Sequence, residues 1–337
     1  MNAHKRAYFS VVVYTIIWGA GFPLMKQALD FVDPMSLLAL RFSVGAATLF
    51  LISLPKYKML SWDLVKKGGI LGILLYGTMI LQTFGMNETS ASNAAFISSV
   101  YVVLVPIYVS IRSKMKVRRN NQYALVFTML GLFCVSGMIG WTSAGPALYV
   151  SAFNRGDFLM LLSSFGFVAY ILMSNTYARD SDPSLLTMLN MLTVAVLADI
   201  VLFGLNVGQP IKMDVWHGRM LVTLVVIGVF GAAICYWGMI RAQRSIGPVA
   251  LVLILSVQPA FSMLFATLIP NKFGMVEIPS VMEIIGCVFI LSAVLISEFG
   301  GLYNTRSFQL RGEWAHKRWK WARKITLWRE VRKSLKK

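Results

Sequence analysis

The chain has 337 residues, of which 57% are hydrophobic and 14% charged, and its formal net charge is +18. A soluble domain carries about 25% charged residues, so this composition excludes an ordinary soluble enzyme or binding module. The apolar residues gather in long blocks, many near the ~20 residues that cross a bilayer core as a helix. An all-α integral membrane protein is expected.

The first block, 7–29, follows Lys5 and Arg6 in the manner of a secretory signal. It is too long for a cleavable apolar region and shows no small-x-small site, so it is expected to remain as the first span. Its centre reads Trp18-Gly19-Ala20-Gly21, then Pro23. A membrane-embedded proline frees a carbonyl that a neighbour or water must satisfy. Gly19 and Pro23 are therefore candidate hinges, and Trp18 a candidate substrate-binding residue. Lys26 lies near the end of this span, and Asp33-Pro34 leads into the second, 36–54, which carries Arg41. Ionisable groups inside spans are costly and count as functional candidates. For Lys26 the alternative is an anchor snorkelling to the headgroups; for Arg41 it is a structural partner of Asp199 or Glu283.

The third span, 68–86, holds Gln82 and Phe84, and the fourth, 91–111, holds Ser98, Ser99, Tyr101 and Pro106. Between them Ser90–Ala95 (SASNAA) reads as a tight turn whose small residues let helices approach. The fifth span, 122–141, precedes the longest connection, 142–156, after which Asp157 is placed to cap the next helix. The sixth, 157–177, carries Ser163 and Tyr170; the seventh is 184–205. The eighth, 219–240, carries Tyr236 and Trp237, and Ser245–Pro248 (SIGP) turns into the ninth, 247–269, with Ser256, Gln258 and Pro259. The tenth is 278–298. Aromatic rings on such spans can stack on a substrate or hold a cation, although serine also bonds its own helix. Gln258, an amide beside a mid-membrane proline, needs partners.

The phrase Gly-Met, break, apolar run, proline occurs twice, with Gly85 to Pro106 and Gly238 to Pro259 each spanning 21 positions. Trp18-Gly19 before Asp33-Pro34 is echoed by Phe165-Gly166 before Asp182-Pro183. Spans one to five thus match six to ten, as repeats 1–141 and 157–298 joined by 142–156. An odd number of spans per half inverts the second half, an architecture of transporters with a midplane site. Pro106 and Pro259 read as a repeat-related pair of hinges.

The Lys/Arg bias orients the chain. One set of alternate loops, with the two termini, holds 26 Lys and Arg, and the other only Arg155, Lys212, Arg219 and Lys272. Both termini are expected in the cytoplasm of a bacterial plasma (inner) membrane. Residues 299–337 form a basic tail in which Trp314, Trp321, Ile325, Trp328 and Leu335 share one side of a helix. Such an amphipathic helix would lie on anionic lipid; the net charge is loop and tail charge, and no nucleic-acid partner is expected.

The stretches WGAGFPLMKQALDFVDPMSLLALRF and TSASNAAFISSVYVVLVP resemble the EamA-type members of the drug/metabolite transporter superfamily, over about residues 7–298. The resemblance implies ten helices as two inverted five-helix repeats. Spans one to four and six to nine would surround a cavity, with five and ten at the periphery. Similar sequences export amino acids, pigments, vitamins and other metabolites.

The expected function is a secondary transporter, an exporter, of a small organic metabolite such as an amino acid or related anionic or zwitterionic compound. The alternative is a lipid or lysolipid translocase using the same cavity. Lys26 and Arg41, at similar depth, favour a negatively charged substrate. No catalytic residues, metal or cofactor are expected. Cys134, Cys235 and Cys287 sit in apolar runs, and no phosphate-binding loop is present to couple ATP. His4, His217 and His316 lie outside the spans, so a coupling proton would need a carboxylate; a coupling sodium ion is the other expectation. A monomer or weak homodimer is expected.

Overall fold

The computed structural model describes residues 3–113, 119–135, 139–142, 145–148, 154–205, 218–270, 276, 278 and 280–302. The basic tail from residue 303 onward, with its expected surface helix, lies outside them.

Helix α1 (Ala3–Ala28) runs unbroken through Pro23. At α2 (Pro34–Ser53), the Asp33 carboxylate accepts from the Ser36 amide and Pro34 takes the first turn, where its missing N–H costs nothing. A 3-10 turn, Leu54–Met59, leads to α3 (Trp62–Glu88), capped by Ser61. The next crossing is two helices, α4 (Ala91–Ser98) and α5 (Tyr101–Ser113), followed by α6 (Arg119–Val135). Strands β1 (Ile139–Thr142) and β2 (Gly145–Leu148) pair antiparallel as a hairpin.

The second half repeats the plan. Helix α7 (Arg155–Tyr177) opens on a capping box in which the Asn154 side chain accepts from the Asp157 amide and Asp157 answers the Asn154 amide. Asp157 was expected to be the cap; it is the third helical residue of that box. Helix α8 (Pro183–Leu205) is capped by Asp182, which accepts from the Ser184 and Leu185 amides. The next crossing joins α9 (Gly218–Val225), a π-helical stretch Val226–Ile234 and α10 (Cys235–Ala242). The ninth is again two helices, α11 (Pro248–Leu255) and α12 (Gln258–Ala266), and α13 (Val281–Leu302) is the last.

Among the described residues 8 of these crossings are long and apolar enough to span a membrane, and α13 contains a shorter apolar stretch, Val281–Ala293. Together with α6 they make ten alternating segments. The face holding the start of α1 is called here the N face.

Three expectations change. SASNAA is no turn: Ser90 caps α4, and the rest is its first helical residues. The described helix of the fifth span is Arg119–Val135, and Ile139–Thr142, which overlaps the span's expected end, is strand. The fourth and ninth spans are interrupted, at Ser99-Val100 and at Ser256-Val257. A serine stands at each interruption. Ser98 and Ser99 donate their hydroxyls to the Ala95 carbonyl, and Ser256 to that of Leu253, competing with the helical ladder.

The interruptions also correct the repeat register. The first residues after each break, Tyr101 and Gln258, are 157 positions apart, and so are the facing pair Met79 and Tyr236. Pro106 and Pro259 are separated by one helical turn less. Pro106 sits inside α5, whereas Pro259 lies in the first turn of α12. They are not a matched pair.

The two halves interlock. Helix α6 packs along α13 at the periphery, α3 crosses α7 and α8, and α2 packs on α8 and the π stretch, while α1 packs on α10 and α12. Close approach needs missing side chains: a Cβ at Gly19 would lie 2.5 Å from Phe261 Cβ. Gly19 is a contact point of α1 with α12.

Candidate functional site: a cavity between the two halves

A small cavity lies between the repeats. Helix α1 supplies Trp18, Phe22 and Met25, α2 supplies Arg41, and α3 supplies Met79 and Gln82. From the fourth crossing come Ser98 and Tyr101, from α7 Ser163, Ser164 and Phe167, from α10 Tyr236, and from α12 Gln258.

Local structure explains how these side chains reach one place. The breaks at Ser99-Val100 and Ser256-Val257 bring Tyr101 and Gln258 together, hydroxyl to Oε1 at 3.2 Å. The π-helical stretch leaves the Gly231 carbonyl on the cavity wall, where it accepts Trp18 Nε1 at 2.9 Å. Five rings form a chain around the wall: Trp18 edge-on to Tyr236 at 5.1 Å, Tyr236 to Tyr170, Tyr170 to Phe167, and Phe167 to Tyr101 at 5.2 Å. Offset and edge contacts of this kind hold rings rigidly.

Arg41 is the charged residue of the lining. Its residue is 5% exposed, its Nη1 lies 3.1 Å from the Met25 sulfur, and its Nε has no partner. The guanidinium also sits 5.2 Å from the centroid of the Phe42 ring. The expected structural partners do not reach it. Asp199 accepts from Ser43, and Glu283 accepts from the Ser280 amide at the start of α13.

Of the residues singled out from sequence, the structure brings Trp18, Arg41, Gln82, Ser98, Tyr101, Ser163, Tyr236 and Gln258 together on the wall. Five others stand elsewhere. Lys26 donates to the carbonyls of Met86, Asn87 and Thr89, at 3.0, 3.1 and 2.7 Å, closing the end of α3. Phe84 points outward, Ser99 bonds its own helix, and Tyr170 lies buried in the ring chain, taking a hydrogen bond from Asn190 at 2.6 Å. Trp237 donates to Ser184 on the N face, with Arg241 over its ring.

Phe22, Met25, Met79, Ser164 and Phe167 also line the cavity without having been singled out. For Phe167 a signal existed. It lies fifteen positions before Asp182, as Trp18 lies fifteen before Asp33. The helix caps set the register, so Phe167, and not Phe165-Gly166, corresponds to Trp18. By the same rule Arg41, eight positions after Asp33, corresponds to Asn190, eight after Asp182.

The two ends of the bundle are tied differently. On the N face Lys56 Nζ pairs with Asp182 Oδ2 at 2.9 Å and reaches Ser184 Oγ, joining the halves. Burial pushes the Asp182 carboxyl up, but the hydrogen bond and charge of Lys56, with two backbone amides, hold it below the usual carboxylate range. Arg244 donates to the carbonyls of Ala178 and Ser181. At the other face Thr89 bonds Asp157 at 2.7 Å, and Gln27 donates to the Pro270 carbonyl at 2.8 Å.

Two interlocked halves of alternating helices, closing on a small cavity walled by rings and amides, make this a multi-pass membrane transporter. Comparison with known proteins gives the family: the chain belongs to the EamA-like transporter family, whose model matches residues 5–137 and again 154–299. An uncharacterized transporter of Archaeoglobus fulgidus is 28% identical over 295 residues, covering 87% of this chain and 86% of its own. Another, YyaM of Bacillus subtilis, is 23% identical over 302 residues, covering 87% and 93%. A crystal structure with 16% identity superposes with a TM-score of 0.65, over 87% of this chain and 96% of its own, which shows the fold alone.

Proposed function

We propose that the protein is a secondary transporter exporting a small anionic or zwitterionic organic metabolite from the bacterial cytoplasm by alternating access. The observation that supports this reading most is Arg41, a buried guanidinium without a carboxylate partner on the wall of a cavity between inverted halves. An isolated buried charge is costly, and a transient anionic occupant relieves that cost only while bound. The N face would be cytoplasmic, as the Lys/Arg bias suggests, with the Lys56–Asp182 pair as an inner closure and the basic tail on anionic lipid.

Reconstitution into proteoliposomes with a panel of labelled amino acids, carboxylates, cations and lysolipids tests the reading. Saturable flux of an anionic or zwitterionic solute, with no competition from lysolipids, is the expected result. Flux restricted to lysolipids, or no flux of any solute, overturns it.

A further inference from the structure

Among the described residues the lining contains Arg41 and no Asp, Glu or His. Most other polar hydrogens there are already committed. Ser98, Ser163 and Ser164 donate to the carbonyls of Ala95, Met160 and Ile97, and Trp18 donates to that of Gly231. Tyr101 donates to Gln258, and Tyr236 points its hydroxyl at the Met79 sulfur, 3.5 Å away. What remains for a ligand is the guanidinium, two carboxamides (Gln82 and Gln258) and an apolar wall of rings and thioethers.

A guanidinium has five donors. Here a thioether, a weak acceptor, faces one nitrogen and Nε is unmatched. A planar two-oxygen anion is the partner that such a fork takes in bidentate Arg–carboxylate pairs. One positive charge neutralises one negative charge. A phosphate monoester brings more charge than Arg41 can balance, and an ammonium group would find no carboxylate.

Resting on the transport reading above, we propose that the cavity carries one organic monocarboxylate with an apolar, ring-sized body and no cationic group. The repeat adds direction to this. Arg41 has Asn190 as its counterpart, so the fixed charge belongs to one half alone. With no carboxylate or imidazole among the described lining residues to accept a co-transported proton, each turnover moves one net negative charge. The loaded site is neutral, so an inside-negative membrane potential drives net export by drawing the empty, positive site back toward the inside.

The test uses purified full-length protein and five probes sharing a phenyl body: phenylacetate, phenyl phosphate, phenylalanine, phenethylamine and 2-phenylethanol. Ligands of the folded state raise the unfolding temperature. Phenylacetate is expected to raise it most, with phenethylamine and 2-phenylethanol giving no shift. Arg41→Gln should weaken phenylacetate binding roughly 10- to 100-fold, the range for a lost charged hydrogen bond, and Arg41→Lys by less. Because the empty site holds an unpaired charge, Arg41→Gln should leave the unfolding temperature of the unliganded protein unchanged or higher. In proteoliposomes phenylacetate flux should generate a current that reverses with an imposed potassium–valinomycin potential.

Equal stabilisation by phenethylamine, unaltered affinity in Arg41→Gln, electroneutral flux, or an unliganded Arg41→Gln protein that melts lower would each overturn the proposal. If none of the five probes binds while the wider panel contains a transported solute, the monocarboxylate assignment fails and the transport reading stands.

Discussion

Tyr101 and Gln258 hold each other by one hydrogen bond, hydroxyl to Oε1 at 3.2 Å, from positions 157 apart in the chain. Each is the first residue after the break in its crossing. They occupy equivalent places in the two repeats, and a contact between equivalents lies where the halves meet about their common axis. Met79 and Tyr236 make a second such contact, also 157 apart.

A hydrogen bond at that seam should couple the halves. Tyr101→Phe and Gln258→Leu each remove it while keeping most of the volume. A double-mutant cycle on thermal stability should give a coupling of about 1 kcal/mol, the usual net worth of such a bond. Either single variant should also change the transport rate by up to roughly fivefold. Strictly additive effects would mean that the contact does not link the repeats.

Lys26 should behave as a helix clamp. Its ammonium caps three carbonyls at the end of α3, where a cation suits both the unpaired oxygens and the helix dipole. Lys26→Met is expected to lower stability by about 1–2 kcal/mol with substrate affinity preserved. A variant that melts normally but binds substrate tenfold more weakly would return Lys26 to the site.

The pH dependence of the N-face pair has a defined sign. The folded Asp182 carboxyl lies below its unfolded value near ~3.9, owing to Lys56 and the two amides, after a burial effect that acts the other way. Its contribution is therefore full above about pH 4 and lost as pH falls through the folded value. The Lys56 side chain is 42% exposed, so solvent screening limits the pair to no more than about 1 kcal/mol. Asp182→Asn should flatten that part of the stability–pH curve below pH 4, as followed by thermal unfolding. An unchanged curve would show that the pair contributes nothing.

Orientation can be read by labelling. In a cysteine-free background, cysteine at Lys58, in the exposed 3-10 turn on the N face, should resist an impermeant thiol reagent in intact cells. Cysteine at exposed Ile278 should react. The opposite pattern would place the N face outside and reverse the direction of export.

Packing tolerance at the α1–α12 crossing follows from Gly19. A Cβ there falls 2.5 Å from Phe261 Cβ, too close without movement of a helix. Gly19→Ala should destabilise by about 1–3 kcal/mol, the usual cost of overpacking. Gly21→Ala, which meets nothing within 4 Å, should be silent in the same melting assay.

The sequence by itself determined the crossings, their alternation and the duplication, because bilayer length and apolar content act on each segment separately. It also determined much of the wall, since a buried Arg41 or a mid-span Gln258 is costly wherever it stands and so draws attention. Tertiary structure alone decided the rest. Whether Lys26 faces a cavity or a helix end depends on where α3 stops in space, and whether Phe84 or Phe167 turns inward depends on which helices flank it. The repeat register was written in the caps, Asp33-Pro34 and Asp182-Pro183, while the more visible glycine and proline phrases misled by a turn. Caps fix where a helix starts, so they index a repeat. Prolines are tolerated at several nearby positions once neighbouring chain satisfies the freed carbonyl, so their spacing need not follow it.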